Sequence, residues 1–160
     1  MESKHTAYCK TPIGVATIIG DSEGISSITV SDIKVEISSE VPDCLQDCVQ
    51  QLNEYFASER TFFELKLHPK GTEFQQKVWR GLLDVPYGKT RSYLEQSKHL
   101  GNAKAIRAVA TANGKNPLWI VIPCHRILGS DGSLTGYAGG LWRKKWLLEL
   151  EAPSSQLELF

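Results

Sequence analysis

No apolar run in this 160-residue chain approaches the roughly 20 residues that span a bilayer, so no transmembrane helix is expected. The opening Met-Glu-Ser-Lys-His-Thr has neither an apolar core nor a small-residue cleavage site, and no signal peptide is expected. Cysteine is sparse: Cys9, Cys44, Cys48 and Cys124. Without a secretory signal these four are expected to stay reduced. Cys44 and Cys48 stand i, i+4 on one helix face, yet no nearby His or Cys pair completes a tetrahedron. Both read as small buried apolar residues, and no metal is expected. Net charge is also absent, with 18 basic and 18 acidic side chains. A composition of 41% apolar, 22% charged and 9% aromatic residues excludes disordered, collagen-like and coiled-coil chains. A soluble, cytoplasmic, globular protein is the expectation, long enough to bury roughly two-thirds of its unfolded surface.

The neutral average conceals an asymmetry. Residues 1–70 carry 6 basic and 11 acidic side chains, a balance of −5. Residues 71–151 carry 12 basic and 6 acidic side chains, a balance of +6. A basic second half suits a polyanion, although dispersed surface charge would give the same count.

The first third reads as strands around residues 8–9, 15–19 and 25–30, with the alternation of Ile33, Val35 and Ile37 marking one buried face. After Pro42, Leu45, Cys48, Val49, Leu52 and Phe56 recur at helical spacing. Phe63, Leu65 and Leu67 alternate as another strand, giving a small α/β unit with a mostly antiparallel sheet. His68-Pro69-Lys70-Gly71 is a breaker cluster and sets a domain boundary, with domains 1–70 and 71–151. Thr72 with Gln75, and Ser92 with Glu95, are capping boxes that open two helices. Phe74, Val78 and Leu82 are expected on the inner face of the first of these. The second stops at Gly101, and Asn102 caps a third that Asn113-Gly114 closes.

Two short helices across a tight Gly-Asn turn match a helix-turn-helix, and many small α-domains use the same pair only for packing. In the first reading, Asn102, Ala103, Lys104, Ala105, Arg107 and Ala108 face nucleic acid. Trp119-Ile120-Val121-Ile122 reads as a buried strand before Pro123-Cys124-His125-Arg126. A Gly-rich loop over 129–140 leads to a helix over 141–151, with Trp142, Trp146, Leu147 and Leu150 available to pack. Residues 152–160 form a tail.

A thiol next to an imidazole and an arginine suggests a nucleophile. Neighbouring strand side chains point to opposite faces, so only a turn after Pro123 lets His125 serve Cys124. From the pair alone, nucleophile and structural cysteine both remain open.

The longer string Asn116-Pro117 followed by Ile120-Val121-Ile122-Pro123-Cys124-His125-Arg126-Ile127 resembles the active-site signature of the O6-alkylguanine-DNA alkyltransferase family. Phe74 through Trp79, Pro86-Tyr87-Gly88, Ser92-Tyr93, Ala105-Ile106-Arg107-Ala108-Val109, Gly136-Tyr137-Ala138-Gly139-Gly140-Leu141 and Trp146-Leu147-Leu148 look like family segments in family order. The resemblance covers residues 71–151 in its motifs and the first half only in size and pattern. It implies an α/β fold with a small N-terminal ribonuclease H-like α/β domain. The C-terminal domain is then helical, of winged-helix or helix-turn-helix type.

The implied function is single-turnover repair. The target nucleotide of duplex DNA is extruded, and its O6-alkyl group, or the O4-alkyl group of thymine, passes to Cys124. His125 takes the thiol proton through a water, Glu151 orients His125, and Asn116 braces the active-site turn. Tyr93 donates a proton to guanine N3. Tyr137, Ala138 and Gly136 wall the base pocket together with Tyr93. Arg107 fills the gap left by the base, while Ala105, Ala108, Lys104, Asn102 and Asn113 lie against the minor groove. Ala138 departs from members with Ser there, and Asn113 from members with an apolar wedge. Trp119 and Trp142 read as core packing. The mechanism requires no cofactor, and the chain is expected to be a monomer. A sensor or regulator that binds damage without transfer is the alternative, and a Cys-His hydrolase a third reading. Finally, Gln156-Leu157-Glu158-Leu159-Phe160 resembles the pentapeptide by which many bacterial proteins bind the replication sliding clamp. Gln156, Leu157, Leu159 and Phe160 would be its anchors.

Overall fold

The computed structural model describes residues 3–152, so the proposed clamp-binding residues of the tail lie outside the described residues. The chain divides into two compact units. The first holds the residues up to Lys70 together with Pro117–Val121. The second holds Gly71–Asn116 and the residues from Ile122 onward. The expected 71–151 domain is therefore interrupted by one short segment that belongs to the first unit. Among the described residues no helix is long and apolar enough to cross a membrane.

In the first unit, β1 (His5–Thr11), β2 (Gly14–Asp21) and β3 (Gly24–Ser31) form an antiparallel sheet in the order β1-β2-β3. Residues alternate between the two faces of a strand, so Ala7, Cys9, Ala16, Ile18, Ile28 and Val30 share the buried side. The register shifts at Ile19/Gly20. A Cβ on Gly20 would meet Gly24 O at 2.7 Å, so only glycine allows this close turn. Helix α1 (Asp43–Phe56) packs on the sheet through Leu45, Cys48, Leu52 and Tyr55. Cys44 is half-buried, in contrast to the buried position expected of it.

Two expected strands of this unit are corrected. Residues 63–67 make only one bridge, Ile25 with Leu67. The buried Gln51 side chain binds both backbone groups of Glu64 at 3.2 and 2.9 Å, which holds the chain off β3 until Lys66. The Ile33, Val35 and Ile37 alternation is exposed, not buried, because the ladder ends at Ser31 and the chain leaves the sheet. The free side of β3 instead takes residues 117–119. Ile28 N–H donates to Pro117 O at 2.8 Å, and Trp119 N–H donates to Ile28 O at 3.0 Å.

The second unit contains α2 (Glu73–Leu82), β4 (Arg91–Ser92), α3 (Tyr93–His99), α4 (Ile106–Gly114), β5 (Ile127–Leu128) and α5 (Leu141–Glu151). Both capping boxes form: Thr72 with Gln75 and Ser92 with Glu95. Each satisfies two amide groups that a helix start leaves open. Phe74 is a correction, since it is exposed. Trp79 lies against Gly71 near the helix start and donates to Ala112 O at 2.9 Å, so it takes the core position at this end. Gly101, at φ 92°, turns the chain between α3 and a short 3-10 turn that leads into α4, with Asn102 capping Lys104 N–H. Trp142 is also exposed, its ring covered by the Arg143 guanidinium at 4.4 Å instead of by core.

Candidate active site

The segment read as a strand over Trp119-Ile120-Val121-Ile122 is a pair of tight turns. Val121 N–H donates to Trp119 O at 2.8 Å, closing a γ-turn around Ile120. Ile120 has φ 75°, an uncommon conformation for a β-branched residue and a local store of strain. Cys124 N–H then donates to Ile122 O at 2.8 Å around Pro123 (φ −82°, ψ 64°), an inverse γ-turn. Asn116 Nδ2 donates to the same Ile122 O at 2.8 Å. The reversal carries Cys124, His125 and Arg126 into a 3-10 turn, and β5 follows, parallel to β4. Cys124 and His125 thus escape the opposite-face geometry of a strand.

His125 and Glu151 are 26 residues apart in sequence and meet in the core, with Nε2 2.7 Å from Glu151 Oε2. Arg126 grips the same carboxylate, with Nε to Oε1 at 2.8 Å and Nη2 to Oε2 at 3.1 Å. Its Nη1 donates to Val85 O at 2.7 Å, and the Tyr87 ring lies 5.8 Å from the guanidinium. This is what the Pro86-Tyr87-Gly88 turn contributes to the site. A buried ion pair persists only with such complete hydrogen bonding. Burial alone would raise the Glu151 pKa, but His125 and Arg126 outweigh it and hold the carboxyl well below the usual range.

Because Glu151 accepts, Nε2 of His125 carries the proton, and Nδ1 is left as the ring's lone-pair site. No protein group among the described residues bonds that buried Nδ1. Burial lowers the His125 pKa despite the attraction of Glu151. The ring is therefore neutral near pH 7, as a base must be. Burial raises the Cys124 pKa, while Asn116 and Lys144 favour its thiolate.

The Gly-rich loop is tied to α5 and α3 by its carbonyl groups. Lys144 is fully buried, and its Nζ donates to Thr135 O and to Gly136 O, the latter at 3.0 Å. Tyr93 OH donates to Thr135 O at 3.4 Å, and the Lys144 ammonium sits 5.9 Å from its ring. Burial pushes Lys144 down to about 8, with Cys124 pulling it back up. Burial also raises Tyr93 and Tyr137, and in both the nearby Cys124 adds to the rise. Both phenols stay protonated at neutral pH. Gly136 takes φ 54°, and Ala138 is exposed.

Cys124, His125, Glu151, Asn116, Tyr93 and Tyr137 are thus brought into one neighbourhood. On α4 and the turn before it, Asn102, Lys104, Arg107 and Ala108 are exposed and Ala105 is half-buried. Asn113 is a correction to the expected DNA contacts. It is buried and exchanges amide hydrogen bonds of 3.0 and 2.8 Å with Gln96, so its side chain serves packing between α3 and α4. Lys144 went unnoticed in sequence because Arg143-Lys144-Lys145 looks like a solvated charge run. Its spacing from Leu147, Leu148 and Glu151 places it on the buried stripe of α5, and that was the available signal.

The 6-O-methylguanine DNA methyltransferase DNA-binding domain matches residues 73–153, and the ribonuclease-like domain of the same methyltransferases matches residues 4–69. A methylated-DNA–protein-cysteine methyltransferase of Methanosarcina acetivorans is 46% identical over 152 residues, covering 91% of this chain and 96% of that one. Its Mycobacterium tuberculosis counterpart is 43% identical over 159 residues, covering 97% and 96%. The crystal structure of M. tuberculosis O6-methylguanine methyltransferase superposes with a TM-score of 0.84 at 42% identity, over 94% of both chains. A structure of the M. tuberculosis protein in complex with DNA gives 0.84 at 44% identity, over 98% of this chain and 99% of that one.

Proposed function

The chain belongs to the 6-O-methylguanine DNA methyltransferase family, and from that premise we propose that it repairs alkylated DNA by moving the O6-alkyl group of guanine onto Cys124. It is a methylated-DNA–protein-cysteine methyltransferase that acts once. O4-alkylthymine, which presents the same alkyl–oxygen bond, is a second substrate. The observation that carries this reading is the His125 ring, fixed at Nε2 by Glu151 with Nδ1 left to accept.

The Cys124 thiol gives its proton through a water to Nδ1, and Glu151 stabilises the imidazolium that results. The thiolate attacks the alkyl carbon in line. The C–O6 bond breaks and its electron pair leaves with the purine. Tyr93 donates its phenolic proton to N3, so guanine departs neutral, and the phenolate recovers a proton from His125 through solvent. Asn116 holds the turn and favours the thiolate. Tyr137, Gly136 and Ala138 wall the base. Arg107 fills the vacated stack, while Asn102, Lys104, Ala105 and Ala108 lie along the minor groove. One copy serves one lesion, in the cytoplasm, where DNA and reduced thiols meet.

Intact-protein mass spectrometry after incubation with O6-methylguanine duplex tests the reading. One added methylene on the Cys124 peptide is expected. A folded, reduced protein that binds the lesion and gains no mass would make the chain a damage sensor instead.

The tail supports a second partner. Gln156, Leu157, Leu159 and Phe160 follow the sliding-clamp pattern, and clamp binding would tether repair to replicating DNA. A clamp pull-down should capture the chain and lose it on Leu159→Ala/Phe160→Ala; equal recovery of both forms removes this partner.

A further inference from the structure

Arg126 ties three parts of the second unit together. Nε donates to Glu151 Oε1 at 2.8 Å and Nη2 to Glu151 Oε2 at 3.1 Å, while Nη1 donates to Val85 O at 2.7 Å. Each nitrogen of the guanidinium therefore has an acceptor. The Tyr87 ring lies 5.8 Å from it, and the Tyr87 hydroxyl donates to Leu150 O at 3.5 Å, one residue before Glu151. Glu151 Oε2 is the shared atom. It accepts from Arg126 Nη2 and also from His125 Nε2, the latter at 2.7 Å. Arg126 and Glu151 are each 7% exposed and His125 is fully buried, so little water screens these charges.

A buried carboxylate that faced an imidazole alone would draw a proton onto the ring. The ring would then be charged, with no lone pair to accept from a thiol. The charged and titratable groups around His125 are Glu151 and Lys144 on α5, with Cys124 and Arg126 flanking it in its own turn. Tyr87, from the turn before β4, stands against Arg126. Burial acts most strongly for a neutral ring, Glu151 opposes it, and Arg126 and Lys144 act with burial. Lys144 points its ammonium at Thr135 O and Gly136 O. Arg126 is the cation seated on the carboxylate itself. We propose that Arg126 is a positioning residue for alkyl transfer: its fork holds Glu151 in place and shares the carboxylate charge, so that His125 rests as the neutral Nε2–H ring with Nδ1 open to the Cys124 proton. This rests on His125 being the base of the transfer. When the thiol proton reaches Nδ1, the imidazolium keeps its Nε2–H bond to Oε2. Because that oxygen is shared, the proton is held loosely enough to move on, as its return to Tyr93 requires. A lysine would keep the charge but offer one point in place of the planar fork that fits both carboxylate oxygens.

Nitrogen NMR of the histidine rings in the full chain tests this beside the pH dependence of single-turnover transfer, with a His125→Gln spectrum to assign the signal. The parent ring should be the neutral Nε2–H form at about pH 7 and take up a second proton only below the ordinary 6.5. Arg126→Met should raise the ring's midpoint by about one pH unit or more, which is about tenfold in proton affinity. The acid limb of the transfer rate should move up by the same amount, with the rate recovering at higher pH. Arg126→Lys should keep the midpoint near the parent's, because the charge remains. Arg126→Met/Glu151→Gln should bring the midpoint back down, because the carboxylate that holds the extra proton is gone; it also leaves neither member of the ion pair unpaired. A charged parent ring at about pH 7 overturns the proposal, whether or not any variant folds. So does an Arg126→Met chain that leaves midpoint and limb in place, or that slows transfer equally at every pH, as lost packing alone would. Ring titration needs no alkyl transfer, so a failure of the repair reading is seen separately, by intact mass. Circular dichroism of each variant verifies the fold.

Discussion

Cys48 in the first unit and Cys124 in the second are both buried, yet their surroundings differ in kind. At Cys48, burial and the neighbouring Cys9 both favour the neutral thiol and push it up to about 12. At Cys124, burial also raises the pKa, but Asn116 and Lys144 work against it, and His125 follows in the same turn. Burial by itself makes a thiol inert. Reactivity comes from groups that stabilise the thiolate and from a base that can take the proton. The second unit holds candidates for both in a buried polar network, whereas the first is held by apolar packing and sheet bonds.

The widest separation of the two cysteines comes from removing them. Cys124→Ala should abolish alkyl uptake completely, read by intact mass, with the fold retained. Glu151→Gln should come next. It leaves Arg126 buried beside an uncharged amide, at a cost of about 3–5 kcal/mol in urea unfolding. It also removes the charge that stabilises the His125 imidazolium, so single-turnover transfer should slow about a hundredfold or more.

Acid should find the same network. His125 and Glu151 are both held below their ordinary values in the folded chain. The unfolded chain therefore binds their protons more readily, and stability rises with pH across each window. The His125 contribution is present above about pH 6.5 and is lost as pH falls toward its folded value. The Glu151 contribution is present above the ordinary carboxylate range and is lost below it. In Glu151→Gln the second limb should vanish from a stability-against-pH curve; its persistence would place the acid sensitivity elsewhere.

Local signals were legible in the sequence. Thr72 with Gln75 and Ser92 with Glu95 announce helix starts because a capping box lies within four residues. The Cys124–His125–Glu151 site was legible only through the family resemblance, since nothing local joins residues 26 apart. Trp119-Ile120-Val121-Ile122 misleads because β-branched apolar residues suit a strand. Its turns are held by Ile28, remote in sequence, and by the nearby Asn116 side chain, whose bond to Ile122 O residue alternation does not report. The Ile33, Val35, Ile37 alternation reports a shared face correctly but cannot report that the face is uncovered.

Arg107→Ala probes the second unit's surface. The side chain is exposed, so stability should not change. Transfer from duplex should fall about tenfold, because filling the vacated stack offsets a few kcal/mol of unstacking. Transfer from free O6-methylguanine base, which needs no extrusion, should be unchanged. Equal loss on both substrates would move Arg107 from base extrusion to the chemical step.

The smallest effect belongs to Cys48→Ala, and it tests the lesson of the two thiols most directly. Transfer to Cys124 should be unaltered. Removing one buried sulfur should cost about 1 kcal/mol, which lowers the unfolding midpoint by about 2–4 °C in a chain of this size. Alkaline stability carries the finer signature. The folded chain keeps Cys48 protonated to about 12, against 9.0 for a free thiol. Its contribution is therefore present below 9.0 and lost as pH rises through that interval. Cys48→Ala should remove that thiol's share of the alkaline slope while leaving the acid limb of His125 and Glu151 intact. A variant that changed the acid limb or slowed transfer would show that the first unit's packing reaches the chemistry of the second.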